Sequence, residues 1–353
     1  MASKLIALTG LLVLAVIPVQ QRQQAIADPE ILEHLPAAAS PLARALAGQS
    51  LRCFPGKFTR LPNSEKVTLA GRQFDFDGLT LTARAGDADG VVTLGVLGAL
   101  KDFESETRLA LAEYLKRFTN AGIDALVLAG DIAASEGEMV QLMLSACTGR
   151  WPVLVLSGNS ESRAAFNRAV LAAMKVCPDI VNLDLFPRVD LGGATLLALG
   201  GYHDRRFVHQ RSGCLYGQAQ IERLATLLPE AKTATGPVVF LSHGPPLGDG
   251  PRALDRAVEG GNVGDPLLAS FLVEHSIHFG IFSHILEAGG ASDDGRGQPV
   301  PPGRWVERLY LNVGSANPLA WQLNSGQVSC GLAAIFRLRG QQASYRLVRL
   351  KCR

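Results

Sequence analysis

LAGDI at 128–132, LSGNSE at 156–161, LSHGPP at 241–246 and FSHILE at 282–287 each close an apolar run with a short polar cluster. Short apolar runs bounded by turn signals read as buried strands. The four clusters supply Asp131, Asn159, His243 and His284. One carboxylate, one amide oxygen and two imidazoles form a mixed oxygen and nitrogen donor set suited to one divalent transition metal, whether iron, zinc or manganese. Donors spread from residue 131 to residue 284 cannot form a local loop site. They converge only if the strands lie side by side with their C-terminal ends on one edge, where open α/β folds place ligands.

The rhythm around these clusters supports that arrangement. Strand 91–98 leads to a helix over 105–120 with Ser105 as N-cap. Strand 124–129 leads to Asp131 and a helix over 136–148, and strand 152–157 leads to Asn159 and a helix over 162–175. This is a βαβαβ unit with a parallel sheet. Strands near 187–191 and 195–200 follow, then helix 217–228, strand 237–242 before His243, helix 266–275 and strand 277–283 before His284. The tail, 307–350, alternates as antiparallel strands. Upstream, 65–84 alternates apolar and polar residues around a DG turn at 77–78, which predicts a β-hairpin added to a sheet edge. Residues 28–58 are rich in Ala and Pro with short helical patterns, ILEHL and PLARALAG, and read as a linker or lid. The glycine-rich stretch 247–266 reads as a flap, with Asn262 or Asp265 facing in.

The ordered series GD, GN, SH and SH, followed by NVGS at 312–315, resembles the calcineurin-like metallophosphoesterases over residues 91–350. That family runs D-x-H, G-D, G-N-[H/C]-[D/E], a lone His, then G-H-x-H. The resemblance implies an α/β fold, a four-layer α/β/β/α sandwich of two mixed sheets flanked by helices, and hydrolysis of phosphoesters. It divides the chain into residues 1–27, an N-terminal extension over 28–90, and a metallophosphoesterase-like domain over 91–353.

The departures from the family pattern sort by site. In register, Ala99 stands where the family has Asp, Lys101 where it has His, and Leu286 where it has the last His. Those positions account for three of the four ligands of the first family metal. All four ligands of the second are present, as Asp131, Asn159, His243 and His284. The implied site is therefore one metal plus Lys101, whose ammonium is a point charge on a flexible stem. Two other readings stay open: Lys101 pointing to solvent, and Asp102 or Glu104 reaching back as a substitute ligand. Ser160 replaces the family's His or Cys and is a poor proton donor. Arg163 is a candidate for bidentate phosphate contact, His203 for an acid–base group bordering the pocket, and Glu161 for holding a ligand by hydrogen bonding. Asn312 and Ser315 are expected to shape the backbone beside the site. Catalytic roles fall to Asp131, Lys101 and His243, and Ser160, Arg163 and His203 are the substrate-binding set. The expected partner is a phosphorylated small molecule or a phosphodiester. The alternative is an inactive relative that binds an anionic or phosphorylated ligand.

Composition bounds these readings. The chain has 353 residues, 47% of them hydrophobic, with 37 glycines and a net charge of +2. It holds one large globular domain plus an extension, and no basic run with interleaved aromatics points to nucleic acid. The N-terminus has Lys4, an apolar stretch over 5–19, Pro18, and Ala25-Ile26-Ala27 as a small-x-small cleavage site. This reads as a signal peptide and export to the periplasm or the extracellular space; an uncleaved membrane anchor over 5–19 is the alternative. Cys53, Cys147, Cys177, Cys214, Cys330 and Cys352 allow up to three disulfides in an oxidising compartment, with 15 full pairings. A Cys53–Cys352 staple between the ends is one of them, and Cys147 on a helix also reads as a buried free thiol.

Overall fold

A computed structural model of the chain describes residues 39–56, 60–86, 89–233 and 236–352. The proposed signal or anchor segment and the ILEHL pattern lie outside these residues. The described chain opens with α1 (Pro41–Ala47), capped by the Ser40 hydroxyl. A three-stranded meander follows: β1 (Glu65–Leu69), β2 (Arg72–Phe76) and β3 (Thr80–Ala83). Then come β4 (Val91–Leu97), α2 (Ser105–Ala121), β5 (Ala125–Ala129), α3 (Glu136–Ala146), β6 (Val153–Leu156), α4 (Arg163–Met174) and β7 (Ile180–Asn182). The second half holds β8 (Arg188–Asp190), β9 (Thr195–Leu199), α5 (Gln218–Ala225), α6 (Leu228–Thr233), β10 (Val238–Ser242), the small pair β11 (Arg256–Ala257) and β12 (Gly261–Asn262), α7 (Pro266–Glu274) and β13 (Phe279–Phe282). It ends with β14 (Ser292–Asp293), β15 (Leu309–Asn312), the small pair β16 (Trp321–Gln322) and β17 (Val328–Ser329), β18 (Leu332–Arg339) and β19 (Gln342–Arg349).

Two large sheets result. One has six strands in the order β19-β18-β4-β5-β6-β7, and the other nine in the order β1-β2-β3-β8-β9-β10-β13-β15-β14. Strands β4 to β7 are parallel and read as unbroken apolar runs because both faces are covered. The nine-stranded sheet alternates. Leu196, Ala198, Val239, Leu241, Ile281, Leu309 and Leu311 join one core with the six-stranded sheet. Their neighbours Leu197, Leu199, Phe240, Phe282 and Tyr310 pack with α5 and α7 through Ile221, Leu224, Leu268, Phe271 and Leu272. A strand's two-residue period sends adjacent side chains to opposite faces, so this sheet is covered on both sides. Residues of α2 to α4, among them Tyr114, Leu142 and Phe166, share the core on the six-stranded side. The layers are α/β/β/α, as expected.

Several local expectations change. The segment 65–83 is a meander rather than a hairpin, because Ala70-Gly71 also turns, with Ala70 at φ 47°. It is continuous with the nine-stranded sheet through the parallel pair β3 and β8. The PLARALA helix is no lid: Leu42 and Leu46 are fully buried. In the tail, β15 runs parallel to β13 and antiparallel to β14, while β18 pairs antiparallel with both β19 and β4. Glu104, not Ser105, occupies the N-cap of α2 and makes no side-chain cap bond there. The cysteines pair as Cys53–Cys214, Cys147–Cys177 and Cys330–Cys352. Cys53 thus meets a loop beside the site rather than the C-terminus, and Cys147 is not a free thiol. Among the described residues no helix is long and apolar enough to cross a membrane.

Candidate metal centre

Each sheet contributes two donors. Asp131 and Asn159 follow β5 and β6 of the six-stranded sheet, and His243 and His284 follow β10 and β13 of the nine-stranded one. The strand ends leave little room for anything larger than glycine. Gly130, at φ 82°, would place a Cβ 2.5 Å from His243 Nδ1, and a Cβ at Gly158 would lie 2.5 Å from the Asp131 nitrogen. The GD and GN pairs are therefore required by the close approach of the two edges.

His243 is the hub. It is fully buried, and its Nδ1 lies 2.9 Å from the Ala129 carbonyl, which can only accept a hydrogen. That bond puts the hydrogen on Nδ1 and turns the Nε2 lone pair inward. Around Nε2 stand Asn159 Oδ1 at 2.9 Å, His284 Nδ1 at 3.1 Å and Asp131 Oδ1 at 3.3 Å. Asn159 Nδ2 donates to the Phe207 carbonyl at 2.7 Å, which fixes its oxygen toward the other donors. Donors held about 2.1 Å from one ion sit roughly 3.0–3.4 Å apart, so this donor set fits a single transition-metal ion.

Electrostatics agree with that fit. Burial pushes the Asp131 carboxyl up, but His243, His284, Lys101 and the Ser160 N–H together hold it below the usual carboxylate range. Burial, with His243 beside it, lowers His284 to about 3 and keeps its ring a neutral donor. Glu161, buried near Asp131, is pushed up to about 8 by burial and by that carboxylate. Its two oxygens accept the N–H groups of Ile132 and Gly158, so it ties the Asp131 and Asn159 turns together through backbone rather than through a donor side chain.

The remaining predicted residues divide. Lys101 turns toward the site, with Nζ 3.9 Å from Asp131 Oδ2 and the side chain 41% exposed. Asp102 does not reach back: its carboxylate accepts from the Glu104 N–H, the Thr107 hydroxyl and Asn317 Nδ2. Glu104 is exposed at the start of α2. Leu286 is buried in a single 3-10 turn. The Ser160 N–H lies 3.2 Å from Asp131 Oδ1 and donates to it. The Arg163 side chain is exposed on the first turn of α4 and is not brought to the four donors. His203 is half-buried beside Tyr202, whose ring lies 4.2 Å from that of His284. Asn262 bonds to Asp255 and Gly250 within its own segment, and Asp265 caps α7 at the Leu267 N–H.

The NVGS turn braces the neighbouring loop. Asn312 Nδ2 donates to the Leu254 and Ile285 carbonyls, and the Ser315 hydroxyl donates to the Ala99 carbonyl at 2.9 Å. Asn317, which carries no sequence signal, adds a bond to the Leu100 carbonyl at 2.6 Å. His209 is also silent in the sequence. Its N–H donates to the Asn159 carbonyl at 2.9 Å, and its Nε2 lies 3.5 Å from Asn159 Nδ2.

Two facing sheets with metal-type donors at adjoining strand ends invite comparison with solved structures. The fold is shared with the crystal structure of TT1561 of Thermus thermophilus, at 15% identity and a TM-score of 0.51, covering 74% of this chain and all of that one. What is shared with that structure is the fold, two facing mixed sheets with helices outside. Looser matches include a dimetal phosphatase from Danio rerio, at 12% identity and a TM-score of 0.46, covering 74% of this chain and 99% of that one. Another is the purple acid phosphatase PPD1 from yellow lupin, at 13% identity and a TM-score of 0.47, covering 78% and 54%. No family model matches the chain, and no curated protein matches it. Likeness at these identities concerns the fold alone, because one fold hosts many chemistries.

Proposed function

We propose that the protein is a metal-dependent phosphoester hydrolase in which Asp131, Asn159, His243 and His284 hold one divalent transition metal and Lys101 takes the place of a second cation. One observation supports this above the others: three donor atoms lie within 3.3 Å of His243 Nε2, while the His243 Nδ1 hydrogen is committed to Ala129. A bound divalent cation would supply Lewis-acid polarisation of a phosphoryl oxygen and would acidify a water.

The chain's own residues do the rest. Asp131, kept ionised by its basic neighbours, supplies the negative charge that the donor set needs. Lys101, partly exposed at 3.9 Å from that carboxylate, can offset charge building on a phosphoryl oxygen. Ser160 offers a neutral hydroxyl, so esters whose leaving groups need no proton, such as activated phosphodiesters, are the expected substrates. Cysteines that all pair in disulfides suit an oxidising compartment. With the N-terminal apolar segment, this supports action in the periplasm or outside the cell, with membrane attachment only if residues 5–19 are retained.

The test is hydrolysis of bis(4-nitrophenyl) phosphate by protein reconstituted with iron, zinc or manganese. Turnover lost in both His243→Ala and Lys101→Ala supports the reading. Bound metal without turnover would make the chain a binding protein for a phosphorylated or anionic ligand.

A further inference from the structure

Two of the four donor residues lean on one loop, Tyr202 to Tyr216. The Tyr202 ring lies 4.2 Å from that of His284, and Gly244 packs so closely against it that a Cβ there would meet Tyr202 Cε2 at 2.6 Å. Further along, the Phe207 carbonyl accepts from Asn159 Nδ2 at 2.7 Å, and the His209 N–H donates to the Asn159 carbonyl at 2.9 Å. The first of these bonds decides what Asn159 offers. An amide has an oxygen that can ligate and a nitrogen that can only donate. With the nitrogen held by Phe207, the oxygen faces His243 Nε2.

The loop has few holds of its own. Between Tyr202 and Tyr216 only Val208 and Cys214 are buried. Cys214 is joined to Cys53. The segment before Cys53 is itself anchored, because the Ser50 and Arg52 carbonyls both accept from Asn167 Nδ2, at 2.8 and 2.9 Å. Asn167 is a buried residue of α4, the helix that starts just after the Asn159 turn. The disulfide therefore closes a ring of contacts. It runs from Asn159 along α4 to Asn167, across Cys53–Cys214, and back through the loop to Asn159. With the bond open, the far end of the loop keeps backbone bonds to Tyr202 and Arg163 but loses its covalent tie. Segments with so few buried contacts open at low free energy.

We infer that Cys53–Cys214 is a positioning disulfide for the metal centre, and that the centre reaches full metal affinity only once this bond has closed. The inference rests on the reading of the four-donor site as a metal site. The closing step is thiol–disulfide exchange: the two cysteine thiols pass two electrons and two protons to a partner disulfide, which leaves as a dithiol. Cys53 is partly exposed and gives that partner access. A chain still in a reducing compartment holds the Asn159 amide and the Tyr202 ring loosely, and a chain in an oxidising one holds them in place.

The experiment titrates manganese into the full oxidised chain and into Cys53→Ser with Cys214→Ser, by isothermal titration calorimetry. The double variant is expected to bind manganese roughly 10- to 100-fold more weakly, the scale for losing the groups that orient a metal ligand. Cys147→Ser with Cys177→Ser is the control. That disulfide joins the far ends of α3 and α4, about 17 Å along the helices from the donor turns, and its loss should leave affinity within about twofold. Val208→Ala loosens the loop with every disulfide closed and gives a second reading should the double variant fail to fold; it is expected to weaken manganese in the same direction. Affinity unchanged to within about twofold in a folded Cys53→Ser, Cys214→Ser chain would overturn the inference, since outer groups that orient a ligand cost more than that. Equal weakening in the control pair, or unchanged affinity in Val208→Ala where the double variant does not fold, would overturn it as well. No manganese bound by the unaltered oxidised chain would overturn the metal-site reading and this inference together.

Discussion

Asp131 and His284 hold φ at 52° and 37°, and Ala99 and Lys101, across the site, hold φ at 47° and 73°. Left-handed backbone is costly for residues with a Cβ and persists where the surroundings enforce it. On the first side the enforced turns aim a carboxylate and an imidazole at His243. On the second side the same kind of turn carries a methyl group and an ammonium. The second loop is as firmly held as the first: Ala99 N–H bonds to Gly130 O, Lys101 N–H to Asp131 O, and Ser315 and Asn317 bond to the carbonyls of residues 99 and 100. One half of the edge pairs a held scaffold with donor side chains, while the other pairs an equally held scaffold with a methyl group and a cation.

The sharpest way to break this contrast is on the intact side. His243→Ala removes the hub of the donor set and should lower turnover by three orders of magnitude or more, about 4 kcal/mol in barrier, measured with bis(4-nitrophenyl) phosphate. On the exchanged side, Lys101→Ala should cost about 10²-fold in kcat, as for loss of one electrostatic contact to the transition state, with metal content unchanged. An unaltered kcat would mean that Lys101 serves only as a neighbour to Asp131. The contrast is sharpened by rebuilding. Because the loop is held in place, Ala99→Asp combined with Lys101→His and Leu286→His should raise bound manganese from about one to about two per chain, read by elemental analysis.

The smallest expected effect lies behind the site. Asp184 is buried, its carboxyl pushed up to about 7 by burial, with one oxygen accepting the Ser157 N–H. The folded state thus keeps a proton that the unfolded chain releases near pH 4, so stability falls as pH rises from about 4 to about 7. Asp184→Asn keeps an acceptor for Ser157 and should flatten that slope, raising Tm at pH 8 by about 2–4 °C. An unchanged pH dependence of Tm in calorimetry would remove Asp184 from the account.

How much of this is legible in the sequence follows from how local each feature is. The parallel strands stand out because burial on both faces leaves unbroken apolar runs, and Asp131, Asn159, His243 and His284 can be read because each follows such a run directly. The orientation of β15 cannot: a short apolar run next to β18 and β19 does not reveal that its partner is β13. The turn at Ala70-Gly71 is hidden because alanine carries no turn signal, whereas the DG pair at 77–78 does. His209 and Asn317 are invisible for a different reason. Both act through backbone groups of residues distant in the chain, and the loop carrying His209 is placed partly by a disulfide to Cys53 whose pairing no spacing rule could choose. Lys101 is readable as an exchange of residue type, but its direction toward Asp131 is not.

The decisive measurement is the metal content of the purified chain set beside that of His243→Ala. About one tightly held transition-metal ion per chain, lost in the variant, is expected. Two ions per chain in the unaltered protein, or none after reconstitution with iron, zinc or manganese, would contradict it.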